Sequence, residues 1–140
     1  MGKIIIFKQE NGNAAVMAPA PDYLQDHTIE ECAAKDVPTG AEFYIVERAS
    51  LPEEHNDFFN AWEVVAGAIS INHTKAQGIT KERLRAERAP LLTALDVQYQ
   101  RAQEDGRDTA IIVSEKQKLR DITKLADEAT TLEELKVLKA

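Results

Sequence analysis

The sequence predicts an α+β protein: a small antiparallel sheet with one helix in the N-terminal half, then a C-terminal α-helical hairpin and a short terminal helix. Three observations predict it. Up to residue 66 short β-branched and aromatic runs alternate with turn signals, and from Thr80 apolar residues recur every three or four positions. Between them, in "AGAISINHTKAQG", small and polar residues break both patterns. The expected organisation is a β-rich domain over 1–66, a linker over 67–79, and a helical hairpin with its terminal helix over 80–140.

"KIIIF" is brief and β-branched, as a buried strand is, and the Asn-Gly pair of "ENGN" predicts the positive φ angles of a tight hairpin turn. "AAVMA" reads as the returning strand, ended by Pro19 and Pro21, which have no amide to give to a ladder. Thr28, three residues before Glu31, is a capping arrangement ahead of one short helix. "DVPTG" is turn chemistry. "AEFYIVE" then predicts a third strand with Phe43 and Ile45 on one face, Tyr44 and Val46 on the other. "FFNAWEVV" suits a fourth strand carrying Phe58, Trp62 and Val64 on one face, although Phe58 and Trp62 would also meet on a helix. Trp62 is expected in the core, since a large aromatic carries much of the buried area of a small domain.

In the second half Leu84, Leu91, Leu95, Tyr99 and Ala102 share one stripe of a helical wheel, with Leu92 beside it. Pro90 either kinks that helix or begins a fresh one. "EDGRD" is a short break that returns the chain antiparallel. The second arm, from about Thr109, has Ile111, Ile112, Leu119, Ile122 and Ala126 on one side, interrupted by Glu115 and Lys118. Thr131 and Glu134 cap a short amphipathic end whose apolar residues are Leu132, Leu135 and Leu138.

Composition narrows the function classes. The 140 residues are 44% hydrophobic and 29% charged, an ordinary globular mix and unlike that of a disordered chain. Seventeen basic against twenty-four acidic residues leave a net charge of −7, which disfavours nucleic acid as a partner. In "SEKQKLRDITKL" the cations alternate with carboxylates, so no basic face forms, and the apolar side is the informative one. No stretch approaches a membrane span, the opening apolar run is too short for a signal peptide, and no membrane role is expected. A lone Cys32 predicts no internal disulfide and a reducing, cytoplasmic place of synthesis; "NHT" at Asn72 therefore carries no weight as a glycosylation site.

No catalytic signature appears: no glycine-rich phosphate loop, no paired-cysteine zinc spacing, no "HExxH" and no nucleophile elbow. Cys32 with His27 is read as a buried thiol and a surface imidazole rather than a nucleophile and base. Glu53, Glu54, His55 and Asp57 of "PEEHND" are read as an ordinary acidic loop rather than a metal site. His73 supports no claim. The expectation is a non-enzyme without cofactor or metal.

What remains is apolar helix surface. A two-arm hairpin buries little by itself, so leftover apolar faces become binding surface. The candidate partner-binding residues are Leu84, Leu91, Leu92, Leu95, Tyr99, Ile111, Leu119, Ile122, Leu132, Leu135 and Leu138. A protein partner is expected, with homo-oligomerisation as the alternative.

"RLRAERAPLLTALD", Arg83 to Asp96, and "EKQKLRDIT", Glu115 to Thr123, resemble the C-terminal helical region of bacteriophage tail assembly chaperones and related tail-fibre-module proteins. Those often carry an "RAERDRLL" type helix and close with a "RQALRDI" type helix. "IIIFKQENGNAAVMAPAP", "KDVPTGAEFYIVERASLP" and "FNAWEV" look like small proteins of phage and prophage tail regions, so the similar parts cover most of the chain. The Asp-Trp segment often found between the two helical motifs is replaced by "DVQYQRAQEDGRD". The resemblance implies a non-enzymatic protein that binds a tail or tail-fibre protein in the host bacterial cytoplasm during assembly, or one that stays in the virion as an adaptor or decoration. It implies no catalytic residue.

Overall fold

A computed structural model describes residues 2–140, and the chain divides into two compact units, one ending at Asn72 and one beginning at His73. The fold is α+β: a small antiparallel sheet region with short helices, then long C-terminal helices.

In the first unit β1 (Lys3–Lys8) lies between β2 (Ala14–Met17) and β3 (Phe43–Glu47), antiparallel to both. The three consecutive isoleucines 4–6 are fully buried, so this central strand is covered on both faces. Ile5 packs with Cys32 and Ala33 of α2 (Ile29–Asp36), joined by Met17, Ile29, Val37 and Ile45. Ile4 and Ile6 point the opposite way. The predicted alternation of Phe43 to Val46 holds, since Ile45 pairs with Ile5 and Tyr44 with Ile6. A single turn of helix, α1 (Tyr23–Asp26), precedes α2 and was not expected.

Four local expectations are corrected. The β1–β2 connection is not a two-residue turn: only Gly12 has a positive φ, 87°, and the bonds Gly12 N–H to Gln9 O (3.0 Å) and Gln9 N–H to Asn13 O (2.9 Å) describe a three-residue loop with one left-handed residue. The fourth strand starts later than expected. Residues 53–61 form short 3-10 turns interrupted at His55 and Phe58, which bury Phe58 and Ala61, and β4 (Trp62–Val65) begins only at the tryptophan. Trp62 is buried as expected, its indole N–H donating to the His55 carbonyl at 3.3 Å. β4 then pairs with an unforeseen strand, β5 (Ala68–Ile71), in a sheet of their own. Residues 67–79, expected as a linker, therefore hold β5 and the start of a helix, because "AISI" is long enough to pair once Ala66 and Gly67 turn the chain. Their φ angles, 52° and 80°, and the Val65–Ala68 pairing mark the tight two-residue hairpin in this unexpected place.

The second unit comprises α3 (His73–Glu104), α4 (Ala110–Glu128) and α5 (Leu132–Val137). At 32 residues α3 is about 48 Å long, and it runs through Pro90 as one helix, which settles the alternative left open by the sequence. Ala86 and Pro90 are both exposed, so the carbonyl deprived of its donor lies on the water side. Gly106, with φ 68°, ends α3. Its N–H donates to Gln103 O and that of Arg107 to Ala102 O, a Schellman arrangement. Contacts then run in opposite order along the two helices: Asp96 meets Lys116, Arg88 meets Leu119 and Arg120, and Gln77 meets Ala126. The seam between them is antiparallel.

Both predicted caps form by half. The Thr28 hydroxyl accepts from Glu31 N–H, and that of Thr131 from Glu134 N–H, each at 3.1 Å. The reciprocal carboxylates go elsewhere: Glu31 to the His27 ring at 2.9 Å and Glu134 to the Thr130 amide at 2.7 Å.

Candidate protein-binding surface

The core of the helical unit is built largely from small residues. Ala76, Thr80, Leu84, Leu95 and Ala102 of α3 are buried, as are Ala126, Ala129 and Leu135. Small side chains let helices approach closely, and polar side chains of α3 then reach the backbone of the other segments. His73 Nε2 lies 2.9 Å from the Ala129 carbonyl, and since a carbonyl only accepts, that nitrogen donates. Gln77 Nε2 donates to the carbonyls of Ala126, Asp127 and Ala129, and Lys81 pairs with Asp127. One stripe of α3 thus satisfies carbonyls that the end of α4 leaves without intrahelical donors. Arg88 holds the middle of α4 through the Leu119 and Arg120 carbonyls, and Arg83 donates to Leu135 O at 3.1 Å. Glu87 accepts from Arg83 at 2.8 Å and from the Ala140 amide at 3.2 Å; these two bonds hold its carboxyl below the usual range.

This packing sorts the candidate residues. Leu84, Leu95 and Leu135 are buried within the unit, Leu95 at the floor of a groove between the helices. Leu92, Tyr99, Leu119, Ile122, Leu132 and Leu138 are half-buried, while Leu91 is 43% and Ile111 74% exposed. Ile111 is not on the packed side of α4 with Ile112, Leu119 and Ala126, as the wheel suggested; it sits on the flank. Between the helices lies a groove of about 370 Å³ lined by Leu91, Leu95, Gln98, Glu115, Lys118 and Leu119. The two charges that interrupt the sequence stripe are thus part of its wall. Next to it Lys116 is drawn inward, 2.6 Å from Asp96 and 5.2 Å from the centre of the Tyr99 ring. Val97, Val113, Leu125 and Val137 are also exposed, although the sequence stripes did not single them out.

The first unit carries a wide depression of about 1200 Å³ among Phe7, Lys8, Glu10, Ala15, Pro38, Glu42, Tyr44 and Val64. Its lining contains neither histidine nor cysteine. The Tyr44 hydroxyl donates to Glu42 at 3.2 Å, a bond that raises the phenol above its ordinary value. Cys32 and His27 do not come together. The thiol is buried, which together with nearby Asp36 pushes its pKa up, whereas His27 is exposed, bonded to Glu31 and stacked on Tyr23 at 4.3 Å. Among the described residues no three His, Cys, Asp or Glu side chains gather as metal ligands, and no helix is long and apolar enough to cross a membrane.

Charge is divided unevenly. Residues 1–72 hold four basic and twelve acidic side chains, and residues 73–140 thirteen and twelve. The helical unit is close to neutral, so apolar contacts there meet little net repulsion.

Compared with known proteins, the chain matches no family model, no curated protein and no solved structure.

Proposed function

We propose that this is a non-enzymatic bacteriophage tail-module protein, acting in the host bacterial cytoplasm as an assembly chaperone or accessory. Its helical half holds a tail or tail-fibre protein. The observation that carries the reading is the α3–α4 groove, walled by Leu91, Leu119, Glu115 and Lys118, where Leu91 stays exposed, with Ile111 exposed one turn of α4 before Glu115. The resemblance of Arg83–Asp96 and Glu115–Thr123 to tail assembly chaperones supplies the biological setting. Leu91→Asp should abolish co-purification of a tail or fibre protein while leaving helicity by circular dichroism unchanged. Undiminished co-purification would refute the reading. Leu95 is unsuited to this test, because its burial makes an aspartate there unfold the unit.

A second reading is a virion structural subunit, a tail or fibre adaptor or decoration that oligomerises through its helices. The 74% exposure of Ile111 favours it, since a branched apolar side chain left in water is covered in a permanent assembly. Quantitative mass spectrometry of purified virions separates the two: many copies per particle for the subunit, none for the chaperone.

A further inference from the structure

On α4 two stripes run side by side, each with steps of four and three residues. The inner one, Ile112, Lys116, Leu119, Thr123 and Ala126, is half-buried or buried throughout. The outer one is Ile111, Glu115, Lys118, Ile122 and Leu125, and of these only Ile122 is half-buried. Such steps are the seam of a coiled coil, in which one helix lies along another.

Four members of the outer stripe, Ile111, Glu115, Lys118 and Ile122, have a symmetry of their own. Ile111 and Ile122 lie equally far from a point between Lys116 and Gln117, and so do Glu115 and Lys118. A stripe of this kind is complementary to itself when a second helix is laid on it in the opposite direction. The two charges are also left over within the chain. Among the described residues neither Glu115 nor Lys118 has an ion pair, although their neighbours do: Lys116 with Asp96, and Asp121 with Lys124.

We infer that α4 pairs antiparallel with α4 of a second copy of this chain, in the register that sets Ile111 against Ile122 and Glu115 against Lys118 of the other copy. A two-fold axis brings each contact twice, as an isologous interface requires. The near-neutral charge of the helical unit permits the approach, and the opposed charges fix the register, because a shift by one heptad sets Lys118 against Ile122 in one direction and Glu115 against Ile111 in the other. The same pairing brings the second copy up to the groove wall formed by Glu115, Lys118 and Leu119. This inference rests on the reading of the helical half as an interaction module and names one occupant of its α4 flank.

The test is analytical ultracentrifugation of the full chain over a wide concentration range at low salt. The intact chain should show a concentration-dependent dimer. Glu115→Lys and Lys118→Glu, each turning two pairs repulsive at once, should weaken it about tenfold or more, and the double variant Glu115→Lys/Lys118→Glu should restore it. Both positions are exposed, and circular dichroism checks that each variant keeps its helicity. A monomer throughout, a dimer indifferent to both single changes, or a double variant as weak as the singles would each overturn the inference. A monomer that still holds a tail or fibre protein would overturn the self-pairing and leave the proposed function standing. A dimer with the expected charge dependence but no tail partner supports the pairing and counts against the capture of another protein.

Discussion

Ala66 is the residue whose local chemistry and conformation disagree most. Its φ of 52° lies in the left-handed region, where a Cβ crowds the carbonyl and costs about 1–2 kcal/mol. Asparagine tolerates that region better, so Ala66→Asn should raise the urea midpoint, by up to about 1 kcal/mol of stability. A lower midpoint would show that the β4–β5 turn is not of this kind. Next to it, Gly67 has φ 80°, and a Cβ there would stand 3.2 Å from Tyr44 Cδ1, so Gly67→Ala should destabilise. Glu87 gives a pH dependence with a definite sign. Its carboxyl is held below the ordinary value of about 4.3. Its contribution is therefore complete above that value and is lost as pH falls through the lower, folded one. The Ala140 amide resonance should follow this acid transition, and Glu87→Gln should remove it. At this scale the sequence was partly legible. Trp62, Cys32 and the three isoleucines 4–6 are buried as their types suggest, but nothing in "ENGN" or "VAGA" reveals which turn takes two left-handed residues. That depends on the loop length available between paired strands.

Elements whose signal is periodic were easier to read than elements defined by pairing. The two leucine stripes and both threonine caps marked α3, α4, α2 and α5, and Thr28→Ala and Thr131→Ala should each cost about 1 kcal/mol. β5 escaped because four residues of "AISI" carry too little pattern to stand out before their partner strand is known. The 3-10 turns over 53–61 escaped because Phe58 and Trp62 fit either period. The bonds that tie α3 to the end of α4 were invisible as well. His73, Gln77 and Lys81 carried no signal in the sequence, and only the packed seam shows that His73 and Gln77 reach backbone carbonyls and that Lys81 pairs with Asp127. Gln77→Ala should cost about 1 kcal/mol and increase amide exchange around α5 and the last turn of α4. Pro90→Ala should lengthen the hydrogen-bonded ladder of α3 and raise stability, by up to about 3 kcal/mol. A fall instead would mean that the packing of Leu84 and Leu95 depends on the geometry Pro90 imposes.

The whole molecule joins an acidic β-rich unit to a near-neutral helical one, and this contrast is the physical basis of its proposed work. Net negative charge on one part favours solubility, while the other can bring apolar flanks to a protein without a strong field opposing contact. The candidate surface was only half legible in the sequence. Periodicity found the leucines but could not say which of them the chain buries by itself. Leu84, Leu95 and Leu135 turn inward, while Leu91 stays exposed at the groove it lines with Glu115 and Lys118, and Ile111 is exposed one turn of α4 before Glu115. The most direct test is cross-linking mass spectrometry of the tagged full chain in the cells that naturally produce it, with Leu91→Asp alongside. The account predicts cross-links from Lys124, an exposed lysine of α4, to a tail or tail-fibre protein, lost in the variant. Cross-links to such a protein only from residues 2–72, or none to any tail protein, would contradict it.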